Sequence, residues 1–218
     1  MARFDPILFD LDGTLVDSGR DIAESVNITF EKLGLPPLEH DRVVAAVGDG
    51  VRKLVQRCLE QVGRSKDEDE VVRLFRSIYR ERALVNTRPY PGMEDLLRRL
   101  QGSRLAVVTN KPGDFARQVL DGLGLSRYFA AVVGGDEVPR PKPDPAHPLR
   151  ACELLGGGPA GGIMIGDYSN DVEAGRAAGM ATCGVLWGFA GSDAVLAAGP
   201  DYTCPTPRDL ERLLLGES

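Results

Sequence analysis

The chain has 218 residues, 43% of them hydrophobic and 27% charged, with a formal net charge of -6. That length suits one large domain or two small ones, and the composition is ordinary for a globular protein with a sizeable core. The mildly acidic balance argues against a general nucleic-acid binder, which would present a basic face, and suits a protein that gathers carboxylates around a cation. No apolar run approaches the length of a membrane span, and Met1-Ala2-Arg3-Phe4-Asp5-Pro6 carries no apolar h-region, so neither a membrane partner nor a signal peptide is expected. Cys58, Cys152, Cys183 and Cys204 are scattered, with no CxxC and no paired histidine. That pattern reads as free thiols in a reducing, cytoplasmic setting rather than as a disulfide framework or zinc site.

In chain order, the first element is the run Ile7-Leu8-Phe9, a short buried parallel strand by its unbroken apolar character. It delivers Asp10 and Asp12 in the stretch Asp10-Leu11-Asp12-Gly13-Thr14-Leu15. Two residues apart on an extended chain, these carboxylates point the same way at a strand end, where open α/β sheets place their ligands. Their mutual repulsion calls for a metal, a shared proton or a substrate.

The texture then becomes helical. Asp17 and Ser18 are N-cap types, and Ile22, Val26, Thr29, Phe30 and Leu33 recur at helical spacing before Gly34 and Pro36-Pro37 stop the helix. A short segment from about Asp41 to Val47 leads to Val47-Gly48-Asp49-Gly50. Next comes an amphipathic helix marked by Val51, Leu54, Val55, Cys58, Leu59 and Val62. Residues from Asp67 to about Leu84 read as one more helix, so no strand is expected between Ser18 and Leu84. The segment Asn86-Thr87-Arg88-Pro89-Tyr90-Pro91 reads as a linker.

From Gly92 the chain alternates. A helix to about Leu100 is followed by the strand Leu105-Ala106-Val107-Val108, a helix from Phe115 to Leu123, and the strand Ala131-Val132-Val133. Then come a helix from Pro145 to Leu155, the strand Ile163-Met164-Ile165, a helix from Ser169 to Ala178, the strand Cys183-Gly184-Val185-Leu186, and a last helix from Asp209. Such alternation predicts an α/β fold: a doubly wound, largely parallel sheet, with a helical cap inserted after the first strand. The expected bounds are residues 1–15 and 88–218 for the core and 16–87 for the cap.

Polar residues that could carry chemistry follow these strands. Thr109-Asn110-Lys111-Pro112 offers a hydroxyl, an amide and backbone N–H groups for phosphate oxygens. In Arg140-Pro141-Lys142-Pro143-Asp144-Pro145, the flanking prolines hold Lys142, a point charge suited to a phosphoryl group. Gly166-Asp167-Tyr168-Ser169-Asn170-Asp171 supplies a second acidic pair. His40 and His147 have no partner acid or second histidine at ligand spacing, and read as structural or exposed.

In order, type and spacing these four stretches resemble the four motifs of the haloacid dehalogenase-like superfamily, most of whose members are Mg-dependent phosphohydrolases. The resemblance implies roles. Asp10 is the nucleophile that forms an aspartyl-phosphate. Asp12 is the general acid and base, and its main-chain carbonyl ligates Mg2+. Thr109 and its neighbouring backbone, with Asn110, bind the phosphate, and Lys142 offsets charge on the phosphate and Asp10. Asp10, Asp167 and Asp171 complete the metal site. Physically this is coherent, because a carboxylate attacking a phosphate dianion needs cations to relieve repulsion, and hard oxygen ligands suit Mg2+.

Val47-Gly48-Asp49-Gly50-Val51-Arg52-Lys53-Leu54-Val55 resembles the cap segment of phosphoglycolate phosphatases, as do Leu186-Trp187-Gly188-Phe189 and Pro200-Asp201-Tyr202 their C-terminal part. The implied substrate is a small phosphorylated metabolite, 2-phosphoglycolate first. Gly48, Gly50 and Arg52 are the residues expected to read its carboxylate, with Asp49 capping the helix. The protein is expected to be a monomer or homodimer. A dehalogenase has no use for Asp12. A sugar-phosphate mutase or a phosphatase of another small metabolite shares these motifs, and a non-catalytic scaffold would be free to shed its aspartates. Tyr168 departs from the small hydroxyl residue commoner at its position, which raises the question of access to the site.

Overall fold

Strand β1 (Ile7–Phe9) is buried on both faces, each of its side chains being wholly shielded from solvent. Such burial contributes roughly 1.5–3 kcal/mol per large apolar side chain, which explains why the chain begins its core here. The structure, a computed structural model, describes residues 2–64 and 66–216. After β1 come β2 (Val16–Asp17), α1 (Gly19–Lys32), α2 (His40–Val44), α3 (Val51–Val62), α4 (Glu68–Arg82) and β3 (Arg88–Pro89). The remainder alternates: α5 (Met93–Arg99), β4 (Leu105–Val108), α6 (Gly113–Gly122), β5 (Ala131–Val133), α7 (Ala146–Leu154), β6 (Ile163–Gly166), α8 (Ser169–Ala177), β7 (Ala181–Val185), α9 (Ser192–Ala197), β8 (Tyr202–Cys204) and α10 (Pro207–Leu215).

Six strands form one parallel sheet in the order β5-β4-β1-β6-β7-β8. The fold is therefore α/β and doubly wound, as the alternation predicts. The two-residue period of a strand sorts its side chains between two helix layers. Leu8, Ala106, Val108 and Met164 pack with Ala151 and Cys152 of α7 and with Ala178, just past α8. Ile7, Phe9, Val107 and Ile165 face the layer that contains Leu96 of α5, Phe115 of α6 and Leu210 of α10. The chain leaves β1 toward β4 on one side and returns to β6 on the other, so the strand order reverses at β1. Open sheets bind ligands at such a point.

Helices α1 to α4 lie between β2 and β3, which pair antiparallel as a short ribbon. Sequence reading takes Asn86 to Pro91, which contains β3, as a linker, because a two-residue strand is too short to show a period. A buried carboxylate fixes the return path. Asp21 on α1 accepts hydrogen bonds from the Asn86 and Thr87 amides at 2.8–2.9 Å and from the Thr87 hydroxyl at 2.7 Å. Burial opposes the Asp21 charge, but these donors outweigh it and hold its carboxyl below the usual range.

Several boundaries differ from the expected ones. Helix α6 begins at Gly113 and β7 at Ala181, while α9 and β8 have no counterpart in the sequence reading. Strand β8 is three residues at the sheet edge with one of them buried, so it carries little apolar signal. Helix α10 starts two residues early, at Pro207, after Thr206 caps it through the Asp209 amide. Proline in the first turn after a threonine cap is a readable start signal, and the periodicity argument passed over it.

Candidate active site

Asp10, Thr109 and Asp167 each follow the C-terminal end of a strand, and those strands (β1, β4, β6) are neighbours in the sheet. Lys142 arrives differently. It lies in the loop between β5 and α7 and folds back over the strand ends, where Asn110 receives it: the Lys142 amide donates to Asn110 Oδ1 and the Asn110 amide to the Lys142 carbonyl, both at 3.0 Å. His147 adds a longer contact of 3.4 Å from its Nδ1 to the Lys142 amide and places its other ring nitrogen 3.2 Å from the Val133 carbonyl.

The charges are then close-packed and buried. Lys142 Nζ lies 2.9 Å from Asp10 Oδ1 and 2.6 Å from Asp171 Oδ1, and donates to the Val108 carbonyl at 2.8 Å. Asp167 accepts from the Thr14 hydroxyl at 3.1 Å and from the Phe189 amide at 2.7 Å. Gly13 makes this approach possible. Its φ of 82° suits only glycine, and an added Cβ would lie 2.7 Å from the Asp167 carboxyl carbon. Burial, then Asp10 and Asp171, push the Asp167 carboxyl well above the usual carboxylate range. Burial also works against the Lys142 charge, but Asp10 and Asp171 outweigh it and hold the ammonium above its ordinary value.

Asp10, Asp167 and Asp171 each offer an oxygen, and these lie within 4.8 Å of one another. Asp10 Oδ1 is buried and, despite its ion pair with Lys142, makes no well-aligned hydrogen bond. Three buried carboxylates gather around one ammonium that touches two of them, and Asp10 Oδ1 has no well-aligned donor. That donor set fits a hard divalent cation of the Mg2+ type.

Asp12 turns away from this cluster. Lys111 Nζ donates to both of its oxygens, at 2.9 and 2.8 Å, and the Ser18 hydroxyl donates at 2.5 Å. Ser18 therefore serves Asp12 and gives no side-chain cap to α1. Lys111 and Thr14 are the residues that sequence reasoning passed over, and Ser18, expected to cap α1, bonds Asp12 instead. Lys111 and Thr14 sit inside the quoted stretches, and their buried positions, rather than any spacing rule, reveal what they touch. Burial opposes the Lys111 charge, yet Asp12 outweighs it, with Tyr79 adding to the effect, and raises the ammonium above its ordinary value.

A cavity lies above Asp10 and Asp12, roofed by Val47, Gly48, Gly50, Val51 and Leu54 and walled by Phe75 and Tyr79 of α4. The core clips its roof: Asn110 and Asn170 donate to the Gly48 carbonyl at 2.9 and 3.1 Å. The side chain of Asn110 is thus a clip between roof and lysine loop, which leaves its backbone for the phosphate expected there. Gly48, at φ 122°, lies under the Tyr168 ring, which a Cβ would approach to 2.9 Å.

Two expectations about the roof need correction. Arg52 is 61% exposed and pairs with Asp69 at 2.5 Å and Glu68 at 3.7 Å, outside the cavity, because the acidic start of α4 draws it outward. Asp49 does not cap α3. It pairs with Arg57, whose guanidinium reaches back two turns and also donates to the Ala46 carbonyl. Gly50 is left as an N-cap with no side-chain hydrogen bond, so the first amides of α3 face the cavity region unsatisfied by side chains.

His147 is fully buried, and desolvation, helped by the nearby Lys142 charge, lowers its imidazolium to about 4. The unfolded chain, with a pKa of about 6.5, binds more protons than the folded one between those values, so the histidine removes stability as pH falls through that window. Relative to His147→Gln, the wild type is expected to lose on the order of 3 kcal/mol between about pH 6.5 and pH 4. Urea titrations at several pH values measure this, and parallel pH curves for the two proteins would contradict it.

Residues 7–185 match the model of the family described as haloacid dehalogenase-like hydrolase. The chain belongs to that family. Among its relatives, the phosphoglycolate phosphatase of Aquifex aeolicus (strain VF5) is 41% identical over 95% of both chains. That of Chromobacterium violaceum is 39% identical over the same shares. A crystal structure described as a predicted phosphoglycolate phosphatase from Haemophilus somnus 129PT superposes with a TM-score of 0.91 at 33% identity, covering 98% of this chain and 99% of that one. Among the described residues, no helix is long and apolar enough to cross a membrane.

Proposed function

We propose that the protein is a Mg2+-dependent phosphatase that hydrolyses 2-phosphoglycolate to glycolate and phosphate. The observation that carries this reading is the buried Asp10–Lys142–Asp171–Asp167 cluster beneath a mostly apolar cavity; relatives at about 40% identity are named phosphoglycolate phosphatase. Residues 16–87 act as the cap and the remainder as the catalytic core.

Asp10 attacks phosphorus and becomes an aspartyl-phosphate, which divides hydrolysis into two displacements. Lys142 draws charge from the phosphoryl oxygens and from Asp10, and the backbone at Thr109 and Asn110 seats those oxygens. Asp12 delivers a proton to the leaving oxygen, then removes one from the attacking water. Asp10, Asp167 and Asp171, with the Asp12 carbonyl, hold Mg2+, which when bound offsets the repulsion between carboxylate and phosphate. The cap excludes bulk water, which strengthens each of these charge interactions. A reducing, cytoplasmic setting suits the four free cysteines, all of them buried.

The test is a panel of phosphate monoesters assayed with Mg2+. Phosphoglycolate should give the highest kcat/KM, with free phosphate and glycolate in equal amounts. Preference for a hexose phosphate returned as its isomer would instead indicate a mutase.

A further inference from the structure

With Arg52 turned outward, the carboxylate of phosphoglycolate lacks the partner that the sequence offers for it. The cavity lining among the described residues holds one cation, Lys111. Both Asp12 oxygens accept from its ammonium, at 2.9 and 2.8 Å, and an ammonium carries three protons to donate. The ammonium also sits 4.7 Å from the centre of the Tyr79 ring, on the cap helix α4. Tyr79 is 1% exposed, lines the same cavity, and has a buried hydroxyl with no hydrogen-bond partner. An orphaned buried hydroxyl costs about 1–3 kcal/mol, so its retention beside a cation and a substrate cavity calls for an acceptor.

We propose that the Lys111 ammonium and the Tyr79 hydroxyl together form the subsite that binds the substrate's carboxylate. The proposal rests on the phosphoglycolate reading and adds the residues that read the leaving group. The order of groups in the protein follows the order of atoms in the substrate. Asp10 faces phosphorus and Asp12 the ester oxygen. Lys111 is bonded to Asp12, and the carboxyl carbon is two bonds beyond the ester oxygen. One carboxylate oxygen accepts from the Lys111 ammonium and the other takes the Tyr79 proton, a charge-assisted pair in a desolvated pocket. The open start of α3 at Gly50 lies on the same cavity and adds its dipole. Tyr79 comes from the cap and Lys111 from the core, so a carboxylate bridging them also fastens the cap shut. A substrate without that group leaves the two halves less firmly joined.

The experiment compares 2-phosphoglycolate with 2-hydroxyethyl phosphate, which has the same two carbons and no carboxylate. The quantity read is the ratio of their kcat/KM values, in the wild type, in Lys111→Met and in Tyr79→Phe. A hydrogen bond to a charged group contributes enough to predict a fall in this ratio of about 10-fold or more for Tyr79→Phe, and about 30-fold or more for Lys111→Met. If Lys111 served only to position Asp12, both substrates would suffer alike and the ratio would hold. Tyr79→Phe removes one hydroxyl without changing the ring's packing, so it decides the matter even if Lys111→Met fails to fold. A high wild-type ratio that Tyr79→Phe retains overturns the subsite alone. A wild-type ratio near one overturns the phosphoglycolate reading, and the subsite with it.

Discussion

Replacing Asp10 with Asn is expected to lower kcat on any phosphate monoester by about a thousandfold or more, the scale on which a covalent nucleophile is lost. The carboxamide keeps the shape of the side chain, and Asp10 sits at the end of a fully buried strand, so the fold has little reason to change. What disappears is the negative charge that Lys142 faces at 2.9 Å and that completes the cluster with Asp167 and Asp171. An amide is a poor nucleophile and a poor cation ligand, so the change strikes both halves of the mechanism. KM should move far less than kcat, because the phosphate seat at Thr109 and Lys142 remains. Steady-state assays and a thermal melt of the variant check this; near-normal turnover in a folded Asp10→Asn protein would contradict the nucleophilic role.

Removing the metal should be as severe. Three buried carboxylates against one ammonium leave the cluster with an excess of negative charge, and a phosphate dianion entering it would add more. Lys142 alone cannot offset that sum. Exhaustive treatment with EDTA is therefore expected to abolish turnover, and Mg2+ to restore it. Ca2+ should not, because its larger and looser coordination sphere does not keep the compact octahedral geometry that Mg2+ enforces. Full activity in the chelated protein would refute the metal-dependent reading.

Much of this site is legible in the sequence because its key residues follow apolar runs. Ile7-Leu8-Phe9 and Ile163-Met164-Ile165 announce buried strands, and the polar residues directly after them fall at the sheet's ligand-binding edge. The same logic finds Thr109. Lys142 lies nine residues past β5, and only its rigid proline setting and the resemblance marked it; the hydrogen bonds from Asn110 that bring it back are long-range and leave no local pattern. The roof of the cavity was hardest to read. Arg52 and Asp49 have the right type and spacing for an anion site, but side-chain pairs with Asp69 and Arg57 take them elsewhere, and propensity carries no information about such competition. Lys111 stood in plain view between Asn110 and Pro112, yet its partner Asp12 is 99 residues away, and the hydroxyl of Tyr79 gains meaning only once α4 is folded over the core.

The central claim is that phosphorus passes from substrate to Asp10 before it reaches water, and one measurement addresses it directly. The enzyme, loaded with Mg2+, is mixed with phosphoglycolate carrying a radiolabelled phosphate, quenched in acid within the first turnover, and digested for peptide mapping. The account predicts label on the peptide that contains Asp10, labile to hydroxylamine as an acyl phosphate is, and absent when Asp10 is replaced by Asn. Rapid formation of free phosphate with no label on the protein at any quench time, or label on a peptide lacking Asp10, would contradict it.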